Sequence, residues 1–282
     1  MRRSVLLGGL GLSGAAYAGW AEPSMRLTVA AHRPILPEWR GRAPLRIVIL
    51  SDIHAGEPVM PALRVAEIVR QANALDPDLT LVLGDLGSQA RFVTRAVPLA
   101  SFAGLLGRLR APLGVHAVLG NHDWWDDPMA NRLRPPATVA ALGAVGIGVL
   151  RNGAVRLRDG SDGFWLAGLD SQLAFGRRGA DDVGRTLAAI TDDAPAILMA
   201  HEPDVFARAT PRFALQVSGH THGGQLRLAG WSPRVPSAFG NRYAYGLVRE
   251  EGRSLVVSGG LGCSGLPVRF GVPPEITLVE VA

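Results

Sequence analysis

The sequence predicts an α/β protein, a four-layer α/β/β/α sandwich of two mixed sheets flanked by helices. Two observations carry that expectation. From residue 45 onward, apolar runs of strand length alternate with stretches of helical periodicity, the pattern of right-handed crossovers in a parallel sheet. Several of these runs end in Asp, His, Asn or Gly, and the second half of the chain repeats the arrangement more loosely. Composition agrees. A chain of 282 residues with 48% hydrophobic and 19% charged side chains has ample material for a core, which excludes a disordered class.

The N-terminus opens with Arg2 and Arg3, followed by an uncharged segment from Ser4 to Ala21 that is diluted by Gly8, Gly9, Gly11, Gly14 and Gly19. A short basic head before a weakly apolar stretch reads as an export signal of twin-arginine type, with Ala16-Tyr17-Ala18 as a small-x-small cleavage site, or as a retained membrane anchor. Residues 1–21 are therefore read as signal or anchor, 22–44 as a linker rich in Pro and Arg, and 45–282 as the functional domain. The expected location is the periplasm or cell envelope, released or tethered.

Leu45–Leu50 is an apolar run broken only by Arg46, as in a strand buried on both faces, and it ends in Ser-Asp-Ile-His. Pro61 opens a helix expected to bury Leu63, Ala66, Val69 and Ala72. Strands follow at 79–83 and 115–119, separated by a helix near 95–110 and ending in Gly84-Asp85 and Gly120-Asn121-His122-Asp123. A helix at 137–144, short strands at 155–157 and 164–169, and a helix near 182–190 come next. Strands at 196–199 and 214–217 run into His201 and into Gly219-His220-Thr221-His222-Gly223, and 253–257 and 275–281 read as closing strands.

Charge and cysteine usage narrow the chemistry. Lys+Arg 29 minus Asp+Glu 24 gives +5, and every basic residue is arginine. These arginines are scattered, which argues against a nucleic-acid platform but suits a phosphorylated substrate or an anionic membrane surface. Cys263 is the lone cysteine, so there is no internal disulfide and no Cys-rich zinc site. A metal must be held by His, Asp and Asn. Asp52 and His54, two apart at a strand end, can turn to one ion, and carboxylate, imidazole and amide donors suit Mn, Fe or Zn better than calcium. Asp85 can bridge two ions with its two oxygens.

In order and kind, Asp52-x-His54, Gly84-Asp85, Gly120-Asn121-His122-Asp123, His201 and Gly219-His220-Thr221-His222-Gly223 resemble the five blocks of the calcineurin-like metallophosphoesterase superfamily. The tail from Ser258 through Phe270 and Pro273-Pro274-Glu275 resembles its YkuE/YaeI-like bacterial phosphodiesterase branch. The resemblance implies a metallophosphoesterase with two divalent metal ions (Mn, Fe or Zn). One would be held by Asp52, His54, Asp85 and His222, the other by Asp85, Asn121, His201 and His220. It also implies in-line attack on phosphorus by a metal-bridging hydroxide, with His122 protonating the leaving oxygen and Asp123 orienting His122. The expected activity is that of a phosphodiesterase or pyrophosphatase acting on a phosphorylated small molecule or lipid. The alternative is a non-catalytic metal-binding envelope protein of the same fold.

Ser88 stands where many relatives have a second acidic residue, which is expected to alter the support around the ligands. Trp124 and Trp125 read either as an apolar wall beside the site or as loop packing. Arg242 and Arg269 read either as a phosphate clamp or as solvated side chains, and Cys263 as a packed residue.

Overall fold

A computed structural model describes residues 14–176, 178–208 and 212–282. Arg2, Arg3 and the start of the apolar segment lie outside the described residues. The chain forms strands β1 (Thr28–His32), β2 (Leu45–Leu50), β3 (Leu79–Val82), β4 (Val115–Ala117) and β5 (Gly148–Val149), then β6 (Gly153–Leu157), β7 (Phe164–Gly168), β8 (Ala196–Met199), β9 (Leu215–Ser218), β10 (Gly246–Glu250), β11 (Arg253–Val257) and β12 (Glu275–Val281). The helices are α1 (Ala62–Ala74), α2 (Leu99–Leu106), α3 (Asn121–Trp125), α4 (Ala137–Gly143) and α5 (Val183–Ala188).

Two six-stranded mixed sheets result, ordered β1-β12-β2-β3-β4-β5 and β10-β11-β9-β8-β7-β6. In the first, β2, β3, β4 and β5 run parallel, and β12 returns antiparallel to β2. In the second, β7, β8, β9 and β11 are parallel, with β6 and β10 antiparallel at the edges. The parallel strands place their C-terminal tips on one edge of each sheet, and the two edges meet.

Alternation within the apolar runs builds the layers. Ile47 and Ile49 of β2 join Leu81, Ile197, Val217 and Val256 in the core between the sheets, whereas Val48 and Leu50 face the helices with Val65, Ile68 and Phe102. A third cluster, with Leu198, Val205 and Phe213, covers the outer face of the second sheet beside Val183 and Leu187 of α5. In α1 the buried stripe is Val65, Ile68, Val69 and Ala72, and Leu63 is 85% exposed. The expected face is thus rotated, because the i, i+3, i+4, i+7 set that begins at Val65 carries more apolar volume than the one that begins at Leu63.

Residues 28–32 lie in the stretch read as linker, yet they form β1 and pair in parallel with β12. Strand β12 contacts β2 in antiparallel register on its other side, so the C-terminus closes the first sheet. Among the described residues no helix is long and apolar enough to cross a membrane.

Candidate metal centre

The polar strand tips converge. Asp52 and His54 follow β2, Asp85 follows β3, Asn121 and His122 open α3 after β4, His201 follows β8, and His220 and His222 follow β9. Their donor atoms fall into two clusters, Asp52 with His54 and His222, and Asp85 with His201 and His220. One oxygen of Asp85 lies between them, 3.5 Å from His54 Nε2 and 3.3 Å from His201 Nε2.

Backbone geometry aims these side chains. Asp52, His54, Asp85, His220 and His222 all take positive φ, from 44° to 67°, a region that costs non-glycine residues energy and that concentrates at functional sites. At two positions only glycine fits. A Cβ on Gly120 would overlap an Asp85 carboxylate oxygen and approach His201 Cε1 to 2.7 Å, and one on Gly219 would overlap Ser51 Oγ and Asp52 Oδ2.

The donors are chemically suited to cations. His54 Nε2 and His222 Nε2 face each other at 3.2 Å, and His222 Nε2 is 3.3 Å from Asp52 Oδ1. Two imidazole nitrogens and a carboxylate aimed at one point suit a shared cation. His201 Nδ1 faces the Leu83 carbonyl at 2.5 Å, which leaves Nε2 directed at the carboxylates. Asn121 Oδ1 is buried without a hydrogen-bond partner among the described residues, and His201 Nε2 faces only carboxylate oxygens, Asp85 Oδ2 at 3.3 Å and Asp52 Oδ1 at 3.9 Å. An orphaned buried oxygen such as that of Asn121 is rare in native cores and has a partner once an ion is supplied.

The electrostatics agree. Burial opposes ionisation of Asp85, but His201, His54 and His122 outweigh it and hold the carboxyl well below its ordinary range. Asp52 is also lowered, against burial, by His222, His201 and His54. His222 is pushed down to about 3, chiefly by burial. Burial likewise lowers His54 and His220. His201 is the exception, because Asp85, Asp52 and Glu202 overcome its burial and raise it well above the ordinary value. Two ionised, buried carboxylates require positive charge, and a proton on His201 supplies part of what a cation pair would supply in full. The residues present therefore fit a dinuclear divalent metal site.

His122 sits at the rim. Its ring meets that of His54 edge-on at 5.1 Å and that of Trp125 at 5.3 Å. Its orientation differs from expectation. Asp123 does not serve His122: its carboxylate accepts from the backbone N–H groups of Gly120 and Asp85, each at 2.9 Å, and of Leu86 at 3.2 Å, which locks two metal-loop backbones together. The carboxylate beside His122 Nδ1 is that of Asp126, 3.5 Å away and one helical turn on. Burial lowers the His122 pKa, but Asp126 and Asp85 outweigh it and the net shift is upward. The Asp at i+4 in the Trp-Trp-Asp-Asp run was the available sequence signal. Asp123 is pushed up to about 6 by burial and by Asp85.

Other expectations are resolved by contacts. Trp124 is buried and donates to Asp170 at 2.9 Å, whereas Trp125 stays half exposed and lines a groove beside the centre. Arg242 is paired with Glu250 away from the centre. Arg269 is not a phosphate clamp. It is fully buried behind His222, with its NH2 group 3.1 Å from His222 Nδ1, and donates to the carbonyls of Gly259, Gly262 and Val272. Cys263 is buried, and burial raises its pKa, as expected of a packed thiol. Ser88 is buried, with its Oγ accepting from Ala90 N at 3.2 Å.

Comparisons with known proteins agree with this geometry. Residues 45–224 match the family described as Calcineurin-like phosphoesterase. An uncharacterised metallophosphoesterase of Bacillus subtilis, YkuE, is 31% identical over 94% of this chain and 88% of its own length. An uncharacterised metallophosphoesterase of Aquifex aeolicus is 30% identical over 84% of this chain and 85% of its own. A bovine transmembrane protein with a metallophosphoesterase domain is 34% identical over 83% of this chain, which spans about half (52%) of that relative.

Proposed function

Because the chain belongs to the calcineurin-like phosphoesterase family, we propose that it is a metal-dependent phosphohydrolase, a phosphodiesterase or pyrophosphatase with two divalent cations at the strand tips. The observation that carries the reading is the pair of buried donor clusters flanking one shared carboxylate, Asp85. Asp52, His54, Asp85 and His222 would hold one cation, and Asp85, Asn121, His201 and His220 the other. When bound, the pair (Mn, Fe or Zn) supplies a hydroxide at neutral pH and neutralises charge on the phosphate.

The chain's own groups do the rest. His122, oriented through Nδ1 by Asp126, holds a proton on Nε2 for the leaving oxygen. The buried ligand shell excludes water from all but the open side, where Trp125, Leu226 and Leu266 wall the approach. The catalytic domain is taken as residues 28–282, because β1 belongs to its first sheet, and it is held at the cell envelope by the N-terminal segment. Tethering is favoured over release because Ala18 O accepts from Arg269 N at 2.9 Å and Tyr17 packs edge-on against Phe270, contacts that cleavage at Ala16-Tyr17-Ala18 would remove.

The test uses the purified full chain loaded with Mn²⁺ and an aryl phosphodiester. Turnover is expected for the wild type, and His122→Ala should lose about 10²–10⁴-fold in kcat while metal content stays unchanged. A folded, metal-loaded wild type without hydrolysis would overturn the reading in favour of a binding protein.

A further inference from the structure

A groove of about 710 Å³ leads from Asn121, His122 and His220 outward between two loops, one carrying Leu226, Pro233 and Pro236 and the other Leu266 and Val268. Its walls are mostly apolar, more than a phosphate and a small polar alcohol require. The apolar character continues past the mouth onto open surface. Leu228 is 64% exposed, Trp231 59% and Leu266 65%, and Leu226 and Phe270 are exposed as well.

These side chains are tied into one surface. Leu226 bridges Phe270, Leu228 bridges Trp231, and Gln225 bonds both Ser264 N at 2.7 Å and Leu266 O at 3.3 Å. The helical turn at Tyr17–Ala21, which carries Trp20, is pinned to the same edge through Tyr17 on Phe270 and Ala18 on Arg269. Soluble surfaces rarely group this many large apolar side chains without an occupant.

We propose that this rim is a bilayer-docking face, which seats the groove mouth on the membrane so that the substrate is the phosphate of a bilayer amphiphile, its apolar part lying in the groove. Three observations select a bilayer as the occupant. The uncharged stretch from Ser4 runs into the turn that is fastened to this rim. No acidic residue occurs between positions 205 and 249 or between 252 and 274, the stretches that supply the loops, whereas Arg227 and exposed Arg234 flank them, complementary to anionic headgroups. Exposed Trp residues at the edge of an apolar patch suit an interface that is wet on one side and apolar on the other.

The proposal rests on the phosphohydrolase reading for what the groove receives, but docking is tested apart from catalysis. In the full chain with C263A, an environment-sensitive fluorophore is attached at W231C or, as a control on the opposite edge, at S161C. Phosphatidylcholine/phosphatidylglycerol vesicles should shift the probe at 231 to the blue, with quenching by brominated acyl chains, and leave the probe at 161 unchanged. The double variant L228E/W231S should bind vesicles roughly tenfold or more weakly, with soluble aryl phosphodiester turnover within about twofold of wild type.

Three results would overturn docking: no vesicle binding, vesicle binding with the probe at 231 still in water, or a blue shift without vesicles that grows with protein concentration and so reports a second copy of the chain. Absence of aryl phosphodiester turnover would overturn the enzymatic reading and leave the vesicle result standing on its own.

Discussion

Replacing Arg269 by methionine tests how the C-terminal loop supports the centre. The guanidinium is fully buried and donates to the carbonyls of Gly259, Gly262 and Val272. That loop in turn clasps the end of β2, since Leu261 N donates to Ser51 O at 3.0 Å and Gly262 N to Asp52 O at 2.7 Å. Methionine fills much of the volume but donates nothing. Three buried acceptors left without partners cost about 1–3 kcal/mol each. Relaxation and removal of a buried charge offset part of that, leaving an expected loss of about 3–5 kcal/mol. Against a typical stability of about 5–15 kcal/mol this is large, and at a urea slope of about 2–3 kcal/mol/M it lowers the unfolding midpoint by about 1–2.5 M. Metal loading should fall as well, because His222 loses the side chain packed behind it. Equilibrium urea denaturation followed by far-UV circular dichroism reads the first effect and metal analysis per chain the second. Arg269→Lys, which retains the charge but fewer donors, should fall between. A midpoint for Arg269→Met within about 0.3 M of wild type would show that these bonds do not hold the loop.

Three further outcomes are expected. Asp126→Asn should lower aryl phosphodiester kcat about tenfold with metal content intact, whereas Asp123→Asn should lower metal content and stability, because its carboxylate caps three backbone amides; steady-state kinetics beside metal analysis separates the two. Gly219→Ala forces Ser51 and Asp52 apart and should cost about 1–3 kcal/mol together with loss of metal, seen as a lower melting temperature that added Mn²⁺ does not restore. Metal loading at pH 7 should release protons, because the carboxylates around His201 raise its pKa well above the ordinary value so that it must lose a proton to bind, and a water that ionises between the cations adds another, whereas Asp52 and Asp85 are held low and burial lowers His54, His220 and His222. Calorimetric heats that do not change with buffer ionisation enthalpy would contradict that assignment.

The amino-acid sequence by itself determined the layered class and which polar side chains end the strands. Apolar runs such as Ile47–Leu50 specify strands buried on both faces, and the polar residues that end them must then gather where parallel strands finish. The gathering of Asp52, His54, Asp85, His201, His220 and His222 was legible for that reason. What tertiary structure alone decided concerns partners distant in the chain. Thr28–His32 is too short and weakly apolar to announce a strand, and it becomes one because β12, about 250 positions later, offers a parallel edge. Arg269 looked like a surface cation until the loop from Gly259 to Val272 wrapped its carbonyls around it. The choice of Asp126 over Asp123 beside His122 depends on which side chain Gly120, Asp85 and Leu86 capture first. The apolar groove is assembled from loops at 225–238 and 264–268, which lack periodicity. Local patterning encodes how each segment buries its own surface; the position of a loop against another loop is set by packing across the whole chain, which no window of sequence contains.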